Sequence, residues 1–247
     1  MNLDKLPKVS FISMPTPLEY MSNLSKRLGG PQIYFKRDDL TGLGLGGNKV
    51  RKLEYLMGEA LAQGCQTAVT TAALHSNFLR VFAAACNRCG IRPVVFMRGE
   101  PEPPVGNYLC TTLLGAELHY ITTKDPFSDD TIKAMTEYAK EEEKKGRKTY
   151  KIHLGTYSGP LAAVGYIAGA AELFRQTDVL GLEIDAIYAA TGSGGTHGGL
   201  LAGARLLGKT TKIVGTSVNL DAELLVRNIS GMMEQYQPFT QGIVIYF

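Results

Sequence analysis

Short β-branched or aromatic runs alternate along this chain with longer amphipathic ones, and that alternation restricts it to an α/β architecture. The runs at 32–36, 67–71, 93–97, 117–121, 150–153, 185–190 and 212–216 read as strands. The segments at 49–63, 76–90, 105–115, 128–145, 159–176 and 195–207 read as helices. Strands separated by helices must return in the same direction, so the pattern predicts open parallel sheets with flanking helices. A chain of 247 residues, 45% hydrophobic, has material for one or two cores.

Composition narrows the function classes. Lys plus Arg number 26 against 23 Asp plus Glu, and the basic residues are scattered rather than gathered into a stripe, which gives no support to nucleic-acid binding. No apolar run approaches the roughly 20 residues that cross a bilayer, and no basic start precedes an apolar core, so a cytoplasmic protein with no membrane partner is expected. The four cysteines, Cys65, Cys86, Cys89 and Cys110, are too few for a disulfide framework in a chain this long. Cys86 and Cys89 form a CxxC pair without two further ligands at matching spacing, so packing roles and no metal site are expected. The run Glu141-Glu142-Glu143-Lys144-Lys145 places acids three and four residues before lysines and predicts a solvated helical face. Arg98 to Pro104, with three prolines, predicts a loop.

Two glycine clusters sit between a strand and a helix. In the first, "RDDLTGLGLGGNK" at Arg37 to Lys49, Gly42, Gly44 and Gly47 have the spacing GxGxxG. A dinucleotide site also needs an acid at the end of the next strand, and that strand ends in Thr70-Thr71-Ala72-Ala73. A P-loop needs lysine directly after the last glycine and then a hydroxyl, whereas Gly47 is followed by Asn48, Lys49 and Val50. What remains is a lysine at a helix start, where helix amides and desolvation both favour the neutral amine that Schiff-base chemistry requires. The second cluster, Thr191 to Thr196, offers backbone N–H groups and hydroxyls at a helix N-terminus, a favourable seat for a phosphate. An amine nucleophile and a phosphate seat together point to pyridoxal 5'-phosphate.

The runs "PTPLEYM" (15–21), "YFKRDDLTG" (34–42), "GGNKVRKLEYL" (46–56), "HSNFLR" (75–80) and "ATGSGGTHGGLLAG" (190–203) resemble the D-cysteine desulfhydrase and 1-aminocyclopropane-1-carboxylate deaminase family over essentially the whole chain. The resemblance implies a two-domain pyridoxal-phosphate enzyme of fold type II, tryptophan-synthase β-like. Residues 1–48 and 161–247 would form a large cofactor-binding domain and 49–160 a small α/β domain. Lys49 matches the lysine that bonds the cofactor and moves the substrate proton. Asn77 matches the residue that hydrogen-bonds the cofactor ring hydroxyl, and Ser76 the one near the substrate carboxylate. Thr191, Gly192, Ser193, Gly194, Gly195 and Thr196 match the phosphate loop.

Departures from the family pattern bear on the substrate. Where "GGxQSNH" is usual the chain has Ala72-Ala73-Leu74-His75-Ser76-Asn77-Phe78, so His75 and Phe78 are expected at the substrate's border; Gly155-Thr156-Tyr157-Ser158 stands for "GGSN". Family members continue beyond the strand matched by Gly242 to Tyr246 into a segment with an active-site tyrosine and the group facing the pyridine nitrogen. The resemblance therefore implies β-elimination from a small amino acid, foremost D-cysteine to pyruvate, ammonia and sulfide. Ring-opening of aminocyclopropane carboxylate is the alternative, a truncated and catalytically impaired relative is a third reading, and a homodimer is implied.

Overall fold

The computed structural model describes residues 3–13, 15–123, 129–154, 158–218 and 220–235. The segments 155–157 and 242–246 singled out above lie outside them. The chain divides into two compact units. One comprises Met1–Lys5, Ser10–Lys52 and Pro160–Phe247; the other comprises Leu6–Val9 and Leu53–Gly159. The expected boundary before residue 49 thus differs from the structural one: Lys49 to Lys52 fall with the first unit, because Arg51 finds its partners there. Leu6–Val9 falls with the second, where Val9 N–H donates to the Glu54 carbonyl at 2.9 Å.

The second unit is an all-parallel sheet. Its strands, β3 (Thr67–Ala73), β4 (Arg92–Arg98), β5 (Glu117–Ile121) and β6 (Thr149–Ile152), lie in the order β5-β4-β3-β6. The register pairs Thr67 with Arg92 and Ala73 with Arg98 across β3 and β4, and Thr70 with Ile152 across β3 and β6. Parallel strands covered on both faces carry near-continuous apolar runs, and Val94, Val95, Phe96 and Met97 are all buried. The strands are joined through α3 (Asn77–Arg88), α4 (Gly106–Leu113) and α5 (Asp129–Lys144). Helix α5 sets Met135 against Val69, Val94 and Phe96, forming one buried cluster. The acidic run on α5 is not wholly solvated. Glu141 faces water and pairs with Lys144 at 2.6 Å, but Glu142 is buried among Arg92, Lys145 and Arg147. The Arg147 hydrogen bonds hold its carboxyl down at about 2, although burial works against them. Cys86 is fully buried with its Sγ 4.0 Å from Met57 Sδ, and burial pushes its thiol well up.

In the first unit, β7 (Ala186–Thr191) and β8 (Lys212–Ser217) pair in parallel, with Ala186 opposite Lys212 and Thr191 opposite Ser217. One face packs Ile187, Ala189 and Ile213 on Tyr166, Ala170 and Phe174 of α6 (Gly159–Leu180) and Leu200 and Ala204 of α7 (Gly195–Leu206). Gly199 and Gly203 let these helices approach closely; a Cβ at Gly199 would stand 2.6 Å from Tyr166 Cβ.

Three elements go beyond the sequence-based expectation. A three-residue strand β1 (Leu18–Tyr20) pairs antiparallel with β2 (Tyr34–Lys36), Leu18 opposite Lys36, so the unit is not purely parallel. Three residues cannot display a period. Helix α1 (Ser22–Leu28) joins them and ends on Gly29 at φ 61°. Helix α8 (Ala222–Gln235) starts where Asp221 Oδ1 accepts the Leu224 N–H at 2.7 Å, and it buries Leu225, Ile229, Met232 and Met233.

Candidate active site

Helix α2 (Lys49–Ala62) opens directly from the first glycine cluster. Backbone φ is positive at Gly42, Gly44, Leu45, Gly46 and Gly47, and Leu45 is the non-glycine residue held there. The turn is closed by its own donors. Gly47 N–H reaches Thr41 Oγ1 at 2.9 Å and the Asp38 carbonyl at 3.1 Å, Gly46 N–H the Leu43 carbonyl at 2.9 Å, and Thr41 Oγ1–H the Asp38 and Gly47 carbonyls. These contacts aim the chain into α2 with Lys49 as its first residue.

Nearly every side chain of α2 between Val50 and Met57 is buried, charged ones included. Lys49 is half-buried, and burial lowers the pKa of its amine. Lys52, one turn on, is only 2% exposed; burial and then the neighbouring Lys49 bring its pKa well below the ordinary lysine value. Neither amine has a hydrogen bond or carboxylate partner among the described residues. A buried ammonium without a counter-charge is disfavoured, so both amines hold their protons less tightly than an ordinary lysine does.

The second glycine cluster lies in the same unit. Among the described residues, the backbone N–H groups of Gly192, Ser193, Gly194, Gly195 and Thr196 find no acceptor. A Cβ at Gly195 would stand 3.0 Å from Lys52 Nζ, so the buried amine abuts the start of α7. Asn48 Nδ2 donates to Thr196 Oγ1 at 3.1 Å, tying the residue before Lys49 to that start. The structure thus places Asn48, next to Lys49, and Lys52, one turn on, against the start of α7; the motif reading selected neither of them. Thr191 is buried, and its hydroxyl donates to the Ala189 carbonyl at 3.2 Å. Lys52 was concealed in "NKVRKLE", where a charged pair on a helix resembles an exposed face.

Ser76 and Asn77 belong to the second unit, at the start of α3. Ser76 is the N-cap, its Oγ accepting the Phe78 N–H at 3.3 Å, and Asn77 is exposed at the first helical position. His75 is exposed and paired with Glu102 at 2.6 Å. Phe78, expected beside the substrate, is 4% exposed, with its ring tilted against that of Phe82 at a centroid distance of 5.9 Å, and so packs in the core of this unit. Ser158 Oγ accepts the His153 N–H at 3.1 Å.

A partnerless amine of lowered pKa, a second one fully buried, and a loop whose amides have no acceptor among the described residues suit a carbonyl cofactor anchored by phosphate. Residues 9–240 match the pyridoxal-phosphate dependent enzyme family, and the chain belongs to that family. It is 42% identical over 227 residues to a putative 1-aminocyclopropane-1-carboxylate deaminase of Pyrococcus furiosus, covering 92% of this chain and 68% of that one. It is 36% identical over 222 residues to the D-cysteine desulfhydrase of Salmonella typhimurium, covering 88% and 66%. A crystal structure of an ACC deaminase homologue superposes with a TM-score of 0.90 at 35% identity, over 99% of this chain and 73% of that one. A crystal structure of a threonine deaminase, at 23% identity and a TM-score of 0.63, shares the fold. The fold is therefore type II, and the cofactor is pyridoxal phosphate. The residues present fit it: the orphaned Lys52 amine and the free amides form a cradle for a dianion. Among the described residues no helix is long and apolar enough to cross a membrane.

Proposed function

We propose that this chain catalyses β-elimination on a small amino acid, with D-cysteine as the foremost substrate and pyruvate, ammonia and sulfide as products. In such a reaction the Cα–H and Cβ–S bonds break, and water releases the nitrogen as ammonia. Bound pyridoxal phosphate supplies an electron sink for the charge left at Cα. Lys49 Nζ, its pKa lowered by burial, would hold the cofactor's carbonyl carbon and take or return the proton at Cα. The amides of Gly192 to Thr196, the Ser193 and Thr196 hydroxyls and Lys52 would hold the phosphate; an arriving dianion would draw a proton onto Lys52 and pair with it. Asn77 and Ser76 would face the ring hydroxyl and the substrate carboxylate, roles that rest on the family resemblance. So do the assignment of the first unit as the cofactor-binding one, the homodimer and the cytoplasmic setting.

One observation supports the cofactor site above the others: two amines stripped of carboxylate partners stand at one helix start, and one of them abuts a loop of free amides. Adding pyridoxal phosphate should produce a visible absorbance band that Lys49→Ala lacks; no band in the parent protein would defeat this reading. Ring-opening of aminocyclopropane carboxylate is a second reading, favoured by the names of the archaeal relatives. Sulfide released from D-cysteine against 2-oxobutyrate released from aminocyclopropane carboxylate separates the two.

A further inference from the structure

Between these two lysines, on the same turn of α2, sits a charge of opposite circumstance. Arg51 is 4% exposed and saturated with partners. Its Nε and Nη2 reach the two oxygens of Asp38 at 2.8 and 2.7 Å, its Nη1 and Nη2 reach the two oxygens of Glu172 at 3.0 and 2.9 Å, and Nη2 also meets Thr16 Oγ1 at 3.0 Å. Each carboxylate is held again from elsewhere: Asp38 by Tyr166 Oη at 2.7 Å and Thr16 Oγ1 at 2.9 Å, Glu172 by Lys36 Nζ and the Thr16 N–H. Two cations and two anions close on one another, leaving no carboxylate of this group over for Lys49 or Lys52. Glu172 stays ionised, at about 2, because the Arg51 and Lys36 contacts outweigh its burial.

Backbone packing works at the same place. A Cβ at Gly165 of α6 would collide with the Arg51 carbonyl and lie 2.9 Å from the Lys52 backbone nitrogen, and one at Gly169 would stand 3.3 Å from Arg51 Cδ. Helix α6 therefore accepts the first turn of α2 into a glycine groove. Residues 49 and 52 share a face of the helix, and residue 51 points away from it. We propose that Arg51 is the positioning residue of this site: its planar fork, gripped by Asp38 and Glu172 while the backbone seats against Gly165, holds the first turn of α2 so that its opposite face presents Lys49 and Lys52 to the phosphate loop. A planar guanidinium fixes direction through four bonds to two carboxylates, and a lysine ammonium at the same point would fix distance alone.

The inference rests on Lys49 being the cofactor lysine, and the test separates the two ideas. Cofactor-free protein is pulsed with acetic anhydride over a series of pH values, and acetylation of Lys49 is followed by mass spectrometry, with exposed Lys26 as the reagent control. Cofactor affinity is read from the absorbance titration. In the parent protein Lys49 reacts with a midpoint below the ordinary lysine value. In Arg51→Lys, with charge kept and fork lost, the Lys49 midpoint moves up toward the ordinary lysine value as water enters, and the dissociation constant for pyridoxal phosphate rises at least about tenfold. If Arg51→Lys does not fold, Glu172→Gln removes one arm of the grip and must give the same direction with a smaller shift. A folded variant with lowered melting temperature but unchanged Lys49 midpoint and cofactor affinity would make Arg51 merely structural and overturn the proposal. A parent protein without the absorbance band would overturn the reading of Lys49 itself.

Discussion

The two glycine-rich loops of this chain look alike in sequence and behave oppositely. The first, Gly42 to Gly47, has the spacing associated with dinucleotides, yet it turns its donors inward: Gly46 and Gly47 bond to Leu43, Asp38 and Thr41 of the same turn. The second, Gly192 to Thr196, has no such spacing and leaves its amides without acceptors among the described residues. Glycine in the first supplies positive φ at successive positions and so points a helix; in the second it supplies open backbone beside a buried amine. A phosphate seat is marked by the amides a loop has left over, and glycine count alone does not reveal that.

The largest effect expected is at the residue the first loop delivers. Lys49→Ala should remove the cofactor's absorbance band and lower turnover by roughly 10³-fold or more, measured with D-cysteine. The contrast between the loops is tested next by paired substitutions. Gly46→Ala places a Cβ against the Asp39 carbonyl at φ 70° and ψ −171°, and should destabilise the cofactor-free protein by about 2–4 kcal/mol in thermal or urea unfolding. Gly195→Ala meets only the flexible end of Lys52; it should leave unfolding nearly unchanged and weaken pyridoxal-phosphate binding. Equal losses of stability at both positions would erase the distinction.

Lys52→Met should separate fold from ligand in a third way. Loss of a charge-assisted contact to phosphate should weaken cofactor binding by about 10- to 100-fold. The same change should stabilise the cofactor-free protein near neutral pH. The folded state binds fewer protons at this lysine than the unfolded chain does, so the parent gains stability as pH rises through the window below the unfolded value of about 10.4. The advantage of the variant should accordingly shrink toward alkaline pH. The smallest effect concerns acid. Glu172 is held at about 2, so its contribution is present above its unfolded value and is lost as pH falls from about 4.3 toward about 2. Glu172→Gln should flatten that acid limb of the unfolding curve, and an unchanged limb would show that the carboxylate contributes little.

Most of the architecture was legible because periodicity is local. The runs at 67–71 and 93–97 are strands extended by a residue or two, and the helix expected over 49–63 occupies Lys49–Ala62. The antiparallel pair β1 and β2 was not legible, since Leu18–Tyr20 is too short to show alternation. The packing of Phe78 was not legible for a different reason: a motif position says what a relative uses there, whereas burial beside Phe82 is set by packing in this chain. Glu142 was grouped with its neighbours as a solvated acid, and only the folded positions of Arg92 and Arg147 bury and neutralise it.

The sequence by itself determined the α/β alternation, the placement of Lys49 at a helix start and the glycine loop at Thr191 to Thr196, because each depends on neighbours in the chain. Only the tertiary structure decided the fate of the charges in "NKVRKLE". Arg51 and Lys52 are adjacent and both buried, yet residues distant in sequence give Arg51 two carboxylates and Lys52 none. Whether a cation becomes an anchor or loosens its hold on its proton depends on which groups share its low-dielectric surroundings, and those are assembled by the fold.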